Sequence, residues 1–169
     1  MKTFTSLSIG LLLCISAAQA TPSAIHRLGV GMRYHVEHDD TEREVAFDDE
    51  STYGLLYEYH EANVFWQLGA QYGTSLGTNN VDTVITPEIN LLFSDGGWRG
   101  GIGALSTYSD SDGESDWSDI YYQFIIGFNI PMGSLSINLQ TAYVFEDFDN
   151  LDEFDFDELD WSGYLMYQF

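Results

Sequence analysis

Apolar and polar side chains alternate along most of this chain with a period of two. The final segment, 159–169, is the clearest case: its odd positions carry Leu, Trp, Gly, Leu, Tyr and Phe, and its even positions carry Asp, Ser, Tyr, Met and Gln. Successive side chains of a β-strand point to opposite faces, so this pattern predicts strands with one apolar and one polar face. Eight segments of suitable length show it: 27–37, 52–60, 64–73, 84–93, 98–108, 119–130, 135–145 and 159–169.

The apolar face of these segments carries no Asp, Glu, Lys or Arg. A charge on the lipid face of a membrane barrel is costly at mid-bilayer, so this absence favours lipid on one side and a polar lumen on the other. Two positions depart from a regular pattern. Pro87 lacks a backbone N–H and predicts a local break in the ladder, and in the fifth segment Leu105 falls inside while Ser106 falls outside.

The connections between segments support the same architecture. Those after the second, fourth and sixth segments are short (61–63, 94–97 and 131–134), whereas the others are longer and polar. Short periplasmic turns alternating with longer outer loops are typical of outer-membrane barrels. The pattern therefore predicts an all-β fold, an eight-stranded antiparallel transmembrane β-barrel with up-and-down meander topology and both termini in the periplasm. The alternative is a soluble lipocalin-like periplasmic barrel, in which the aromatic face would form the core.

The first twenty residues have the features of a secretory signal peptide. An early Lys2 precedes an apolar run at 9–15, and Ala18-Gln19-Ala20 provides a small-x-small cleavage site. We therefore expect two segments, a signal peptide at 1–20 and a barrel domain at 21–169. Cleavage would remove Cys14, the only cysteine, so the mature chain would contain no disulfide.

The charge of the chain is strongly acidic: 27 Asp and Glu oppose five Lys and Arg, for a net charge of −22. Under the predicted topology, the outer connections 39–50, 110–119 and 146–160 together with Asp82 carry −21 of this charge. With no basic patch, nucleic acid is excluded as a partner. Such acidic loops fit a solvated surface or weak binding of Ca²⁺ or Mg²⁺, which prefer several converging oxygens. The candidate metal ligands are Asp110, Asp112, Glu114, Asp116, Asp149, Asp152, Asp155 and Asp157.

The polar face places charges inside the predicted barrel. Arg33 and Arg99 point inward, and Glu58 and Glu88 are the expected counter-charges, because buried charges must be paired. Small barrels of eight strands are filled by side chains, and many inward positions are glycines that narrow the lumen further. A filled lumen held by ion pairs is therefore predicted, rather than a narrow pore.

Few residues suggest catalysis. His35 and His60 point inward and are expected to be lumen residues. His38 and Ser51 could meet across the first hairpin, and Ser106 lies on the outer face of the fifth segment, but no nucleophile–base pair is positioned by the pattern. We therefore expect that the chain is not an enzyme; a lipid A-modifying enzyme is the alternative.

The architecture together with the Tyr167-Gln168-Phe169 ending resembles the small OmpA/OmpX-like class of eight-stranded outer-membrane barrels. This resemblance implies a structural or interaction protein in the outer membrane of a Gram-negative cell. No cofactor is expected, beyond weakly bound Ca²⁺ or Mg²⁺ at the acidic runs. It also implies that the partners are outer-membrane lipid, lipopolysaccharide and, through the C-terminal strand, the assembly machinery. A monomer is expected.

Overall fold

The computed structural model describes residues 24–36, 47, 50–76, 81–111, 114–148 and 156–169. These residues form ten β-strands and one short 3₁₀-helix at Phe156–Glu158. No helix within the described ranges is long and apolar enough to span a membrane. The strands are β1 (Ile25–Tyr34), β2 (Ser51–Glu61), β3 (Val64–Leu76), β4 (Val81–Asp95), β5 (Trp98–Leu105), β6 (Tyr108–Ser111), β7 (Glu114–Trp117), β8 (Tyr121–Met132), β9 (Leu135–Phe145) and β10 (Asp160–Gln168).

Eight of these strands close into an antiparallel barrel. Each pairs with its neighbour in chain order, and β10 returns to pair with β1, with Tyr34 opposite Trp161 and Arg27 opposite Gln168. The two short strands β6 and β7 lie between β5 and β8 in the chain: β6 follows the line of β5 and pairs with the N-terminal part of β4, and β7 pairs with β6. The predicted all-β, eight-stranded up-and-down barrel is thus confirmed.

The two faces of the wall have opposite polarity. Apolar side chains on the outer face are widely exposed, for example Tyr53 at 70% and Ile126 at 61%, whereas polar and charged side chains fill the inner face. A lipocalin-like barrel would have the reverse arrangement, with the aromatic face buried. The soluble alternative is therefore not the structure of this chain.

Tight turns close one end of the barrel. The turns Ala62-Asn63, Gly96-Gly97 and Gly133-Ser134 each have two central residues, and Gly96 and Gly97 both adopt positive φ angles of 58° and 97°. Positive φ at both central residues matches the twist of a hairpin, which explains the glycine pair. The start of β1 and the end of β10 lie at this end of the barrel as well. The Gln168 N–H donates to the Ser134 carbonyl oxygen over 2.8 Å, and Arg27 of β1 is the register partner of Gln168.

The C-terminal aromatic residue joins the first and last strands at this end. The backbone N–H of Phe169 donates to the His26 carbonyl oxygen over 3.0 Å. The Phe169 ring stacks on the His26 imidazole with centroids 5.8 Å apart, and His26 Nδ1 lies 2.8 Å from the Tyr57 hydroxyl. The terminal phenylalanine is therefore part of the closure of the barrel.

The break expected at Pro87 appears on only one of its two sides. Pro87 pairs with Ala70 of β3 with no shift of register. On the other side β5 ends at Leu105, and the strand resumes as β6 at Tyr108. Ser106 still donates its N–H to the Pro87 carbonyl oxygen over 3.4 Å, but proline has no N–H to return the bond, so the ladder is interrupted there.

Two residues expected to face lipid are covered instead. Tyr143 and Phe145 lie on the outer face of β9, yet they are only 5% and 4% exposed. Phe145 packs against rings of neighbouring strands and of the following segment, with centroids 5.0 Å from Phe124 and 5.1 Å from Phe148. The exposed apolar surface on β9 is therefore shorter than the period-two pattern predicts.

Candidate functional site

Glycines on the inner face make room for the large polar side chains of the lumen. A Cβ atom built on Gly69 would overlap the Glu88 carboxylate, which lies directly across from it in the β3–β4 pair. A Cβ on Gly103 would likewise overlap the Asn90 amide. These glycines therefore leave space that neighbouring polar side chains fill, and the lumen is packed at these positions.

Glu58 is the centre of a polar cluster in the half of the lumen nearer the tight turns. Its side chain is 0% exposed. A buried carboxylate needs several donors to offset the loss of hydration, and the structure supplies five neighbours. They are Arg99 (2.5 Å), His60 (2.7 Å), Gln67 (3.1 Å), Asn138 (3.4 Å) and Arg27 (3.7 Å).

Arg33 is the centre of a second cluster in the other half. Its guanidinium lies 3.1 Å from the Asp160 carboxylate and 3.2 Å from Glu88, and it donates to the side-chain oxygen Oε1 of Gln123 over 3.1 Å. His35 Nδ1 lies 3.1 Å from the same Asp160 oxygen. The other ring nitrogen, His35 Nε2, lies 2.9 Å from the Thr52 hydroxyl, so both nitrogens of this imidazole have polar partners.

Amide side chains connect the two clusters. Gln67 donates to Glu58 and accepts from Asn90 over 2.9 Å. Asn90 in turn accepts from Gln123 over 2.7 Å, and Gln123 also donates to Glu88. A continuous hydrogen-bonded network therefore runs through the lumen.

Aromatic side chains cover both ends of this network. Phe65 stacks on His60 at 4.2 Å, with the Arg99 guanidinium 4.9 Å from its ring. At the other end Phe47 stacks on His35 at 4.1 Å. A cavity of about 20 Å³ at this end has Phe47, Arg33, His35 and Asp160 among its lining residues, which is room for roughly one water molecule.

The four predicted lumen charges form two pairs, Arg99 with Glu58 and Arg33 with Glu88. Sequence reasoning missed Asp160, which it counted among the acids of the last outer connection; the side chain is 1% exposed and pairs with Arg33. It also missed Arg27, which shares Glu58 with Arg99. Three arginines thus face three carboxylates among the described lumen residues, and the formal charges cancel.

The first predicted acidic run occupies the β6–β7 hairpin. Asp110 lies opposite Ser115, and Asp116 lies opposite Ser109. Directly opposed residues share a face and successive residues alternate, so the side chains of Asp110 and Asp116 point to opposite faces of the hairpin. Within the described part of the chain, no group of three or more potential ligands could hold a metal ion.

The other metal candidates lie at or beyond the limits of the description. Asp112, Asp149, Asp152 and Asp155 are outside the described residues. Glu114 belongs to β7 and Asp157 to the 3₁₀-helix, and their side chains are likewise outside the description. Cation binding by these two runs stays a prediction.

The catalytic alternatives gain no support from the geometry. His38 lies outside the described residues, so its distance from Ser51 is not defined. Ser106 donates its hydroxyl to the Ser118 carbonyl oxygen over 3.0 Å, and His35 and His60 contact carboxylates within the lumen.

Together these features define a class of protein: a small closed barrel with an apolar exterior and a lumen filled by a charge-balanced polar network. No protein-family model and no curated protein sequence matches the chain. Among solved structures, the chain is similar to the crystal structure of neisserial surface protein A, with 8% identity, a TM-score of 0.44, and coverage of 86% of this chain and 93% of that chain. At this level of similarity the neighbour adds no argument, and the fold rests on the strand pairing described above.

Proposed function

We propose that the protein is an outer-membrane barrel of a Gram-negative cell that acts as a structural or interaction scaffold, displaying acidic loops at the cell surface. The tight turns and both termini would face the periplasm, and the β6–β7 hairpin would lie outside the cell. In this role the barrel has no catalytic activity and no conducting pore.

The observation that carries this proposal is the inverted polarity of the wall. A water-soluble protein rarely exposes a continuous apolar surface of this extent, and such a surface marks contact with a membrane or a partner. Here apolar side chains of the barrel strands are exposed on the outer face, while Arg33, Glu58, Glu88, Arg99 and Asp160 are buried on the inner face. A closed barrel leaves no unpaired sheet edge, which makes the arrangement compatible with the hydrocarbon layer.

The topology can be tested with two matched cysteine variants, Ser115→Cys in the β6–β7 hairpin and Ser134→Cys in the last tight turn. Both serines are exposed, and the mature chain is expected to contain no other cysteine. A membrane-impermeant maleimide should label Ser115→Cys on intact cells but Ser134→Cys only after the outer membrane is permeabilised. Labelling of Ser134→Cys alone on intact cells would show that the orientation is inverted, and fractionation of the protein away from the outer membrane would refute the location.

The finer part of the proposal is that the acidic runs bind divalent cations weakly at the cell surface. If they do, Ca²⁺ in the range of about 0.1–10 mM, typical of weak extracellular sites, should raise the melting temperature of the folded barrel above the value in sodium at equal ionic strength. A tenfold excess over Kd stabilises by about 1.4 kcal/mol. The measurement is a thermal melt in detergent.

The control for this titration replaces Asp110, Asp112 and Asp116 with Asn and Glu114 with Gln. The Ca²⁺ increment should shrink in this variant while the barrel still folds. Screening of a solvated acidic surface makes a different prediction, because sodium and calcium then act alike and neutralising the run is itself stabilising. Equal responses to the two salts would eliminate the cation site.

A further inference from the structure

The lumen contains a group of polar atoms that have no hydrogen-bond partner. Six buried side-chain atoms in the described residues are unpaired in this way. Two of them, Gln71 Oε1 and Thr141 Oγ1, are not near the others: Gln71 is on β3, and Thr141 is on the outer face of β9. The other four are Arg99 Nε, Asn129 Oδ1, Asn138 Oδ1 and Gln140 Nε2.

The strand register brings these four residues together. Arg99 pairs with Gly127, and Gly127 pairs with Gln140, so these three form one row across β5, β8 and β9. Asn129 and Asn138 are direct partners in the next row. All of these positions belong to the inward-facing set of their strands, and opposed residues on one face lie about 5 Å apart.

Gly127 lets the side chains of Arg99 and Gln140 approach each other across β8. A Cβ built on Gly127 would lie 2.8 Å from Gln140 Cγ and 3.2 Å from Arg99 Cγ, so both side chains pass over the same point. Both are buried, as is Asn138, with exposures of 3%, 7% and 0% for Arg99, Gln140 and Asn138. The Asn138 amide is oriented by its own donor, which bonds Glu58 over 3.4 Å.

The chemistry of the four atoms identifies the ligand. Two are donors (Arg99 Nε and Gln140 Nε2) and two are acceptors (Asn129 Oδ1 and Asn138 Oδ1). A cation would be repelled by the Arg99 guanidinium, and an anion by the two amide oxygens. The lumen charges already cancel, so a neutral ligand is favoured. Water accepts two hydrogen bonds and donates two, and buried waters satisfy such groups.

We propose that this patch is a buried water site, in which one ordered water accepts from Arg99 and Gln140 and donates to Asn129 and Asn138. The water stabilises the Glu58 cluster, because it binds Arg99 and Asn138, two of the hydrogen-bond partners of that carboxylate. All four atoms are buried in the lumen.

The direct test is a crystal structure of the full barrel in detergent at a resolution that shows ordered water. A density peak within 2.7–3.2 Å of at least three of the four atoms supports the site. An empty patch in which Arg99 Nε bonds directly to a reoriented Gln140 amide overturns it.

A stability measurement gives an independent answer through its sign. If Gln140 Nε2 has no partner, Gln140→Met removes a buried unsatisfied donor and should raise the melting temperature. If water is bound, the same change removes one of its partners and should lower the melting temperature. Thr141→Val is the matched control, because it removes an unpaired hydroxyl from the opposite face of the same strand and should not lower it. A rise for both variants would contradict the proposal, and if Gln140→Met fails to fold, the crystal structure still decides.

Discussion

Arg99→Met should lower the free energy of unfolding by about 3–5 kcal/mol, the usual cost of removing one partner from a buried ion pair. Its side chain is 1% exposed and lies 2.5 Å from the fully buried Glu58 carboxylate. Methionine preserves most of the volume, so the loss comes chiefly from the charge left without its closest partner. The measurement is urea-induced unfolding of the refolded barrel in detergent or vesicles.

Arg27→Met is the matched control for this change, because Arg27 contacts the same carboxylate. Its side chain is 17% exposed and 3.7 Å away, so water replaces much of what is lost and the cost should stay below about 1 kcal/mol. Removing both charges of the central pair in Arg99→Met with Glu58→Leu should recover much of the stability. Equal small effects of Arg99→Met and Arg27→Met on the free energy of unfolding would show that the buried ion pairs do not stabilise the lumen.

The period-two pattern predicted the barrel well because the two faces of each strand meet different surroundings. A strand such as β8 can be assigned without knowledge of its partners, since its alternation requires an apolar environment on one face and a polar one on the other. The glycine-containing turns at Gly96 and Gly133 were equally readable, because two-residue hairpins require positive φ angles.

The lumen network was less predictable because its contacts join strands that are distant in sequence. Asp160 pairs with Arg33 across 127 positions, and it follows directly after an acidic run, so its pattern resembled that of the surface loop. The alternation puts Asp160 on the polar face of the last strand, but its partner is brought near only by the pairing of β10 with β1, which local alternation does not encode. The covering of Tyr143 and Phe145 was missed for a related reason, since Phe148 belongs to the segment after the strand.

The second large effect concerns the outer wall. Ile126 is 61% exposed and lies on β8 between Tyr122 and Phe128, with Gly100 and Thr141 as its register partners. Ile126→Arg should destabilise the barrel in lipid vesicles by about 2–4 kcal/mol, because the guanidinium would lie near the bilayer midplane. Trp117→Arg is the control: Trp117 is also apolar and is 55% exposed, but it lies in the β6–β7 hairpin, opposite Tyr108, and not in the middle of a long barrel strand.

The difference between these two variants in lipid vesicles tests most directly whether the apolar exterior is a membrane surface. We expect Ile126→Arg to lose at least about 2 kcal/mol of unfolding free energy, while Trp117→Arg changes it by less than about 0.5 kcal/mol, as is usual for exposed positions. A barrel whose exterior faces water would tolerate both arginines equally. Equal, small effects of the two substitutions would contradict the membrane assignment.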